Sequence, residues 1–207
     1  MNRLETLYRA DPDPVAFARG YLGYLKEVLD RVDPASIAAF AETLLQARER
    51  GARIFFIGNG GSAATASHFA NDIAIGSRSW AAPFRAISLT DNVSTVTAIA
   101  NDYGYEEIFT LQLKTQMTSG DVVVAISASG NSANVVGALE YANEHGAVTV
   151  ALTGFDGGRL RKVAQRGVHV PTNMGEYGPV EDVHMIIDHL VGAYLFERCR
   201  AEGRTQS

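Results

Sequence analysis

Cysteine is almost missing from this 207-residue chain: Cys199 stands alone. No disulfide can therefore form within the chain, and no thiolate cage for a metal can be assembled. Long apolar runs are missing too, since none approaches the ~20 residues a membrane-spanning helix needs. The opening MNRLETLYRADPDP is charged and broken by proline, without the apolar stretch of a secretory signal. An excess of basic charge is absent: 18 Lys and Arg face 23 Asp and Glu, for a formal net charge of -5. Such a balance sets up no field that would gather nucleic acid. The pattern G-x-x-x-x-G-K-[ST] occurs nowhere, which excludes a P-loop nucleotidase. These absences predict a cytoplasmic protein with neither a membrane nor a nucleic acid as partner. They leave room for a small anionic ligand, because backbone dipoles can outweigh a mild global charge.

What is present suits one domain, with 46% hydrophobic and 20% charged residues. The first fifty residues read as a helical arm, residues 1–51. Phe17, Tyr21, Leu22, Leu25, Val28 and Leu29 recur at three- and four-residue steps. Asp33-Pro34 then caps and opens a second helix, which carries Ile37, Phe40, Leu44 and Leu45 and stops at Gly51. From Arg53 the character changes. Short apolar runs at 54–57, 86–89, 122–126, 148–152 and 168–170 alternate with helical stretches at 62–75, 92–101 into 105–117, 131–145 and 158–164. A long helix from about Pro179 ends the chain. Apolar runs without alternation suit strands buried on both faces, and repeated β-then-α order predicts an α/β fold. The expected core, residues 52–198, is a doubly wound five-stranded parallel sheet flanked by helices, in the flavodoxin-like order 2-1-3-4-5.

Two turns in that scheme look built for an anion. Gly58-Asn59-Gly60-Gly61-Ser62 follows the first strand, and Ser127-Ala128-Ser129-Gly130-Asn131-Ser132 follows the third. Each opens a helix, whose free N–H groups face the turn. In the expected order these strands are neighbours at the switch point, so both turns face one crevice. Either turn alone is ordinary βα punctuation, because Ser and Asn cap helices well. Gly58, Gly60 and Ala63 also satisfy the loose dinucleotide pattern G-x-G-x-x-G/A, but no acidic residue stands about 20 positions on. No organic cofactor is expected.

GNGGSAATASHFANDI, AIANDYGY, SASGNSANV and VEDVHMIIDHL together resemble, in order and spacing, the phosphoheptose isomerases of the sugar isomerase (SIS) family, over about residues 15–197. That resemblance implies a single SIS domain over 1–207. It implies substrate contacts from Asn59, Gly60, Gly61, Asn101, Asp102, Ser127, Ala128, Ser129, Ser132, Asp72 and Glu181. It also implies a metal, zinc by ligand chemistry, held by His68, Asp72, Glu181 and His189. Asp72 stands where the family has a glutamate base, and His189 matches its general acid. Glu181 replaces a common glutamine.

Spacing speaks separately. His68 and Asp72 are four apart on an expected helix, hence on one face. Glu181 and His189 are eight apart, about 12 Å along a straight helix. Sharing one ion then needs an irregular helix start near Pro179 or ligands from two subunits, with His184 in reserve. On this helix Glu181, His184 and Asp188 share one face. His145, ending a helix, and His169, within a strand, read as structural.

The implied reaction is aldose–ketose isomerisation of sedoheptulose 7-phosphate to D-glycero-D-manno-heptose 7-phosphate through an enediol. Alternatives are a non-catalytic family member that binds sugar phosphate or a replication initiator, and an isomerase of another sugar phosphate. Apolar faces on the N-terminal helices, with the resemblance, imply a homotetramer.

Overall fold

The computed structural model describes residues 2–205 of the chain. The N-terminal arm holds α1 (Arg3–Ala10), α2 (Pro14–Leu29) and α3 (Pro34–Glu49). Asp13 and Asp33 cap the second and third. The Asp13 carboxylate accepts from the N–H groups of Val15 and Ala16, and Asp33 accepts from Ala35, with proline at the first helical position in both. The first helix was not expected from the sequence. It buries none of its own residues and is tied down by a distant partner, the carboxylate of Glu176, which accepts from Arg3 N–H at 2.6 Å. A contact across 173 positions leaves no local pattern to read.

Five parallel strands follow: β1 (Arg53–Gly58), β2 (Arg85–Ser88), β3 (Val122–Ser127), β4 (Val148–Thr153) and β5 (Arg166–His169). Their order is β2-β1-β3-β4-β5, as expected. Adjacent residues on a strand point to opposite faces, and the core divides accordingly. Ile54, Phe56, Val122, Val124 and Ile126 join Val28, Phe40 and Leu44 of the arm on one face. Phe55, Ile57, Val123 and Ala125 meet Leu139 and Ala142 on the other. Every residue of β3 is buried, which explains why its sequence shows no alternation.

The connecting helices are α4 (Gly61–Asn71), α5 (Val93–Asp102), α6 (Thr110–Gln116), α7 (Ala133–Glu144) and α8 (Gly158–Val163). The last helix, α9, runs unbroken over Tyr177–Thr205. Pro179 lies in its first turn, where the missing N–H would have had no helical partner. Phe69 locks α4 in place. It stacks on Phe56 of β1 at 5.1 Å between ring centroids and meets Phe40 of α3 edge-on at 5.7 Å. At Asp72 the helix loosens into one π-helical turn, Asp72–Gly76.

Candidate active site

Register brings the two glycine- and serine-rich turns together. Gly58 pairs with Ile126, so β1 and β3 end side by side at the point where the strand order reverses. Between the turns lies a cavity of about 250 Å³, lined by Asn59, Gly60, Gly61, Ser127, Ser129 and Ser132 among others. Ala128 also lines it, as do two residues from α9, Tyr177 and Glu181.

A polar frame stiffens this cradle. Asn59 and Asn134 exchange amide hydrogen bonds, Asn59 Nδ2 donating to Asn134 Oδ1 at 2.8 Å and Asn134 Nδ2 returning one at 2.9 Å. Tyr105 O–H donates to Asn59 Oδ1 at 2.9 Å. In the second turn Gly130 N–H donates to Ser127 Oγ at 3.1 Å, and Asn131 N–H donates to Ser129 Oγ at 3.3 Å. Gly130 has φ +65°, a left-handed geometry that side chains disfavour. Its missing Cβ also allows the backbone of Gly157 to approach, since the Gly157 carbonyl carbon lies 2.6 Å from where a Cβ would stand. Gly61 is needed for a different reason: the Glu181 carboxyl carbon lies 2.6 Å from its would-be Cβ.

From this contact α4 and α9 run side by side. Seven residues beyond Gly61, and eight beyond Glu181, about 10–12 Å further on, lie His68 and His189. Their Nε2 atoms face each other at 3.4 Å, and His68 Nε2 lies 3.5 Å from Asp72 Oδ2. Asp188 completes the group: one ligand atom from each of His68, Asp72, Asp188 and His189 falls within 4.8 Å of the others. Asp72 packs against α9 at Gly192, its Cβ 3.7 Å from where a Gly192 Cβ would stand, an ordinary contact distance.

The chemistry of this group fits a cation. Asp188 is wholly buried, and neither carboxylate oxygen has a hydrogen-bond partner. Burial, and then the charge on Asp72, push its pKa up to about 8. Burying such a group unpartnered costs several kcal/mol, and a bound cation would offset it. The nitrogen–nitrogen and nitrogen–oxygen spacings also match a tetrahedral site, whose ligand-to-ligand edges are about 3.4 Å for bonds of ~2.1 Å.

The structure thus brings His68, Asp72 and His189 together, and places Asn59, Gly60, Gly61, Ser127, Ala128, Ser129 and Ser132 around one cavity. Within one chain Glu181 stands apart from His68, Asp72 and His189, so sharing their ion would take ligands from two subunits. Because α9 is continuous, the eight-residue rise is not shortened, and Glu181 lines the cradle. There burial, and then the charge on Asp182, raise its pKa. His184, the reserve candidate, is also outside the group. It is fully buried, its Nε2 lies 3.4 Å from the Thr153 carbonyl oxygen, and burial pushes its pKa down to about 4. Asn101 and Asp102 are exposed at the end of α5, where Asn101 Nδ2 donates to Asp102 Oδ1 at 2.7 Å. They are not among the residues lining the cradle.

Sequence reasoning missed Tyr105, Asn134 and Tyr177 in the cradle, and it put Asp188 on a helix face without a role. The one available signal for Asp188 was an acid directly before a candidate ligand, inside the apolar stretch MIIDHLV.

Residues 20–154 match the family model described as the SIS domain. A phosphoheptose isomerase of Geobacter metallireducens is 41% identical over 165 residues, which is 80% of this chain and 86% of that protein. Among solved structures, a phosphoheptose isomerase from Neisseria gonorrhoeae aligns with a TM-score of 0.79 at 31% identity, covering 89% of this chain and 97% of its own. One from Francisella tularensis aligns with a TM-score of 0.77 at 26% identity, covering 89% and 98%.

Proposed function

Since the chain belongs to the SIS domain family, we propose that it is an aldose–ketose isomerase converting sedoheptulose 7-phosphate to D-glycero-D-manno-heptose 7-phosphate. The names of the similar proteins supply the substrate. The observation that carries the reading is the meeting of Asp72 with His189, two turns along the same pair of helices from an anion cradle.

The phosphate is assigned to the turn 127–132, where Ser127, Ser129 and Ser132 offer hydroxyls and the start of α7 offers free N–H groups. Asn59, Gly60, Gly61 and Glu181 face the same cavity and hold the sugar hydroxyls. Asp72 takes the proton from C1 of the ketose and returns it to C2. His189 moves the hydroxyl proton from the oxygen on C1 to the oxygen on C2, so the enediol closes to the aldose with no net gain or loss of atoms. When bound at His68, Asp72 and His189, a divalent cation, zinc by the ligand chemistry, supplies Lewis-acid polarisation of the carbonyl. Asp72 is one methylene shorter than the usual glutamate, and it opens the π-helical turn Asp72–Gly76.

One domain over 1–207 and a cytoplasmic location belong to the same proposal. No helix among the described residues is long and apolar enough to cross a membrane. So does a homotetramer, supported by exposed Val15 and Leu22 on α2 and exposed Leu190 and Tyr194 on α9. Light scattering that finds a monomer at micromolar concentration would remove the tetramer. The activity is tested by incubating the protein with sedoheptulose 7-phosphate, with and without zinc, and following the aldose product. Absence of product with the cation bound overturns the assignment.

A further inference from the structure

The start of α9 faces two ways. Tyr177 and Glu181, four apart and so on one side of the helix, line the cradle. The carboxylates that flank them, Glu176 and Asp182, turn instead to the N-terminal arm. Glu176 is wholly buried. It accepts from Tyr24 O–H of α2 at 2.5 Å and from Arg3 N–H of α1 at 2.6 Å. Asn173 completes its shell, donating from its backbone N–H at 3.0 Å and from its side-chain amide at 2.9 Å. Tyr21, three residues before Tyr24 on α2, donates to Asp182 Oδ2 at 2.5 Å. A carboxylate sealed from water is tolerated only when its oxygens are satisfied. Burial works to raise the Glu176 pKa, but the bonds from Tyr24, Asn173 and Arg3 outweigh it and hold the group below its ordinary value. The ionised Glu176 therefore needs the arm in place. The arm needs Glu176 in turn, since α1 buries none of its own residues.

We propose that Glu176 is a positioning residue for the sugar-phosphate cradle: by gripping α1 and α2 it fixes the start of α9, and with it Tyr177 and Glu181, against the glycine- and serine-rich turns. The role rests on the isomerase reading for the identity of its ligand. Asp72 belongs to the turn after α4, and His189 lies roughly three turns further along α9, so neither is held by these bonds. Loosening the grip therefore weakens substrate binding and spares the chemical step. Arg3→Pro deletes one donor and little else. Arg3 is the first residue of α1, Asn2 before it is already extended, and a proline there forfeits no helical hydrogen bond. Arg3→Ala keeps that N–H and is the control for the side chain, which reaches Glu27 and the Tyr24 ring. Tyr24→Phe deletes the second donor.

Calorimetric affinity of the full-length protein for sedoheptulose 7-phosphate is expected to fall at least ~5-fold in Arg3→Pro and in Tyr24→Phe, the weight of about one hydrogen bond. In Arg3→Ala it is expected to stay within about 2-fold of the unsubstituted protein, well inside that difference. KM should rise by the same factor while kcat holds within about 2-fold, the mark of binding lost equally from ground and transition states. A merely structural role gives the opposite pattern, because a smaller folded fraction lowers the apparent kcat and leaves KM unmoved. Unchanged affinity in both Arg3→Pro and Tyr24→Phe, or a fall in kcat at constant KM, overturns the assignment. If the unsubstituted protein binds the ketose phosphate without turning it over, the isomerase reading falls, and the calorimetric comparison still decides the role of Glu176.

Discussion

Gly130 is where the cradle is most sensitive to a single methyl group. Gly130→Ala must adopt φ +65°, which costs an L-residue roughly 1–2 kcal/mol. The new Cβ would also overlap the Gly157 backbone, with the carbonyl carbon 2.6 Å away and Gly158 N 3.1 Å away. Those atoms are main chain and cannot rotate aside. Relief requires the turn after β3 to part from the turn after β4, at an overpacking cost of about 1–3 kcal/mol. Parting strains the hydrogen bonds that join them, Leu160 N–H to Gly130 O at 2.8 Å and Gly154 N–H to Ala128 O at 3.0 Å, each worth about 1 kcal/mol. The first two terms alone come to about 2–5 kcal/mol, and the strained hydrogen bonds add to them. In urea the midpoint should fall with the slope unchanged, and the melting temperature should drop by roughly 10 °C for a chain of this size. Gly61→Ala is the matched control. Its clash is with the free end of the Glu181 side chain, which can swing away, so stability should change by less than about 1 kcal/mol while sugar-phosphate binding weakens. A Gly130→Ala protein as stable as the Gly61→Ala protein would show that the two turns are not held in register by that contact.

Phe69→Ala should cost about 3–5 kcal/mol in urea unfolding, because the ring is fully buried and bridges β1 to α3; a loss below about 1 kcal/mol would contradict that packing. Asp72→Asn should abolish turnover while calorimetry still detects sugar-phosphate binding in the cradle, and residual turnover within about 10-fold would exclude Asp72 as the base. Stability against pH should reflect two buried groups of opposite sign. His184, pushed down to about 4 from 6.5, stays neutral when folded, so its contribution is present above 6.5 and lost as pH falls towards 4. Asp188, pushed up to about 8 from 3.8, favours the folded state at low pH and loses that contribution as pH rises from 3.8 to 8. In metal-free Asp188→Asn protein the His184 loss is unmasked, and stability should fall by about 2 kcal/mol between pH 7 and pH 5. A flat profile there would show that His184 titrates normally.

Element type and order were legible in the residues because apolar runs, caps and glycine stops are local signals. Asp33-Pro34 opened α3 and the run Val122–Ile126 formed β3 as expected. The cradle was legible too, since two short turns need only the strand order to become neighbours, and β2-β1-β3-β4-β5 followed from repeated β-then-α connection. His68 and Asp72 could be paired from four-residue spacing alone. Their meeting with α9 could not, for it depends on how two helices lie against each other. The same packing sealed Asp188 from water and gave Glu181 to the cradle. Sequence by itself determined which side chains one helix face can offer; tertiary structure decided which of them meet across helices, because facing contacts are set by side-chain volumes and backbone approach, neither of which repeats along the chain.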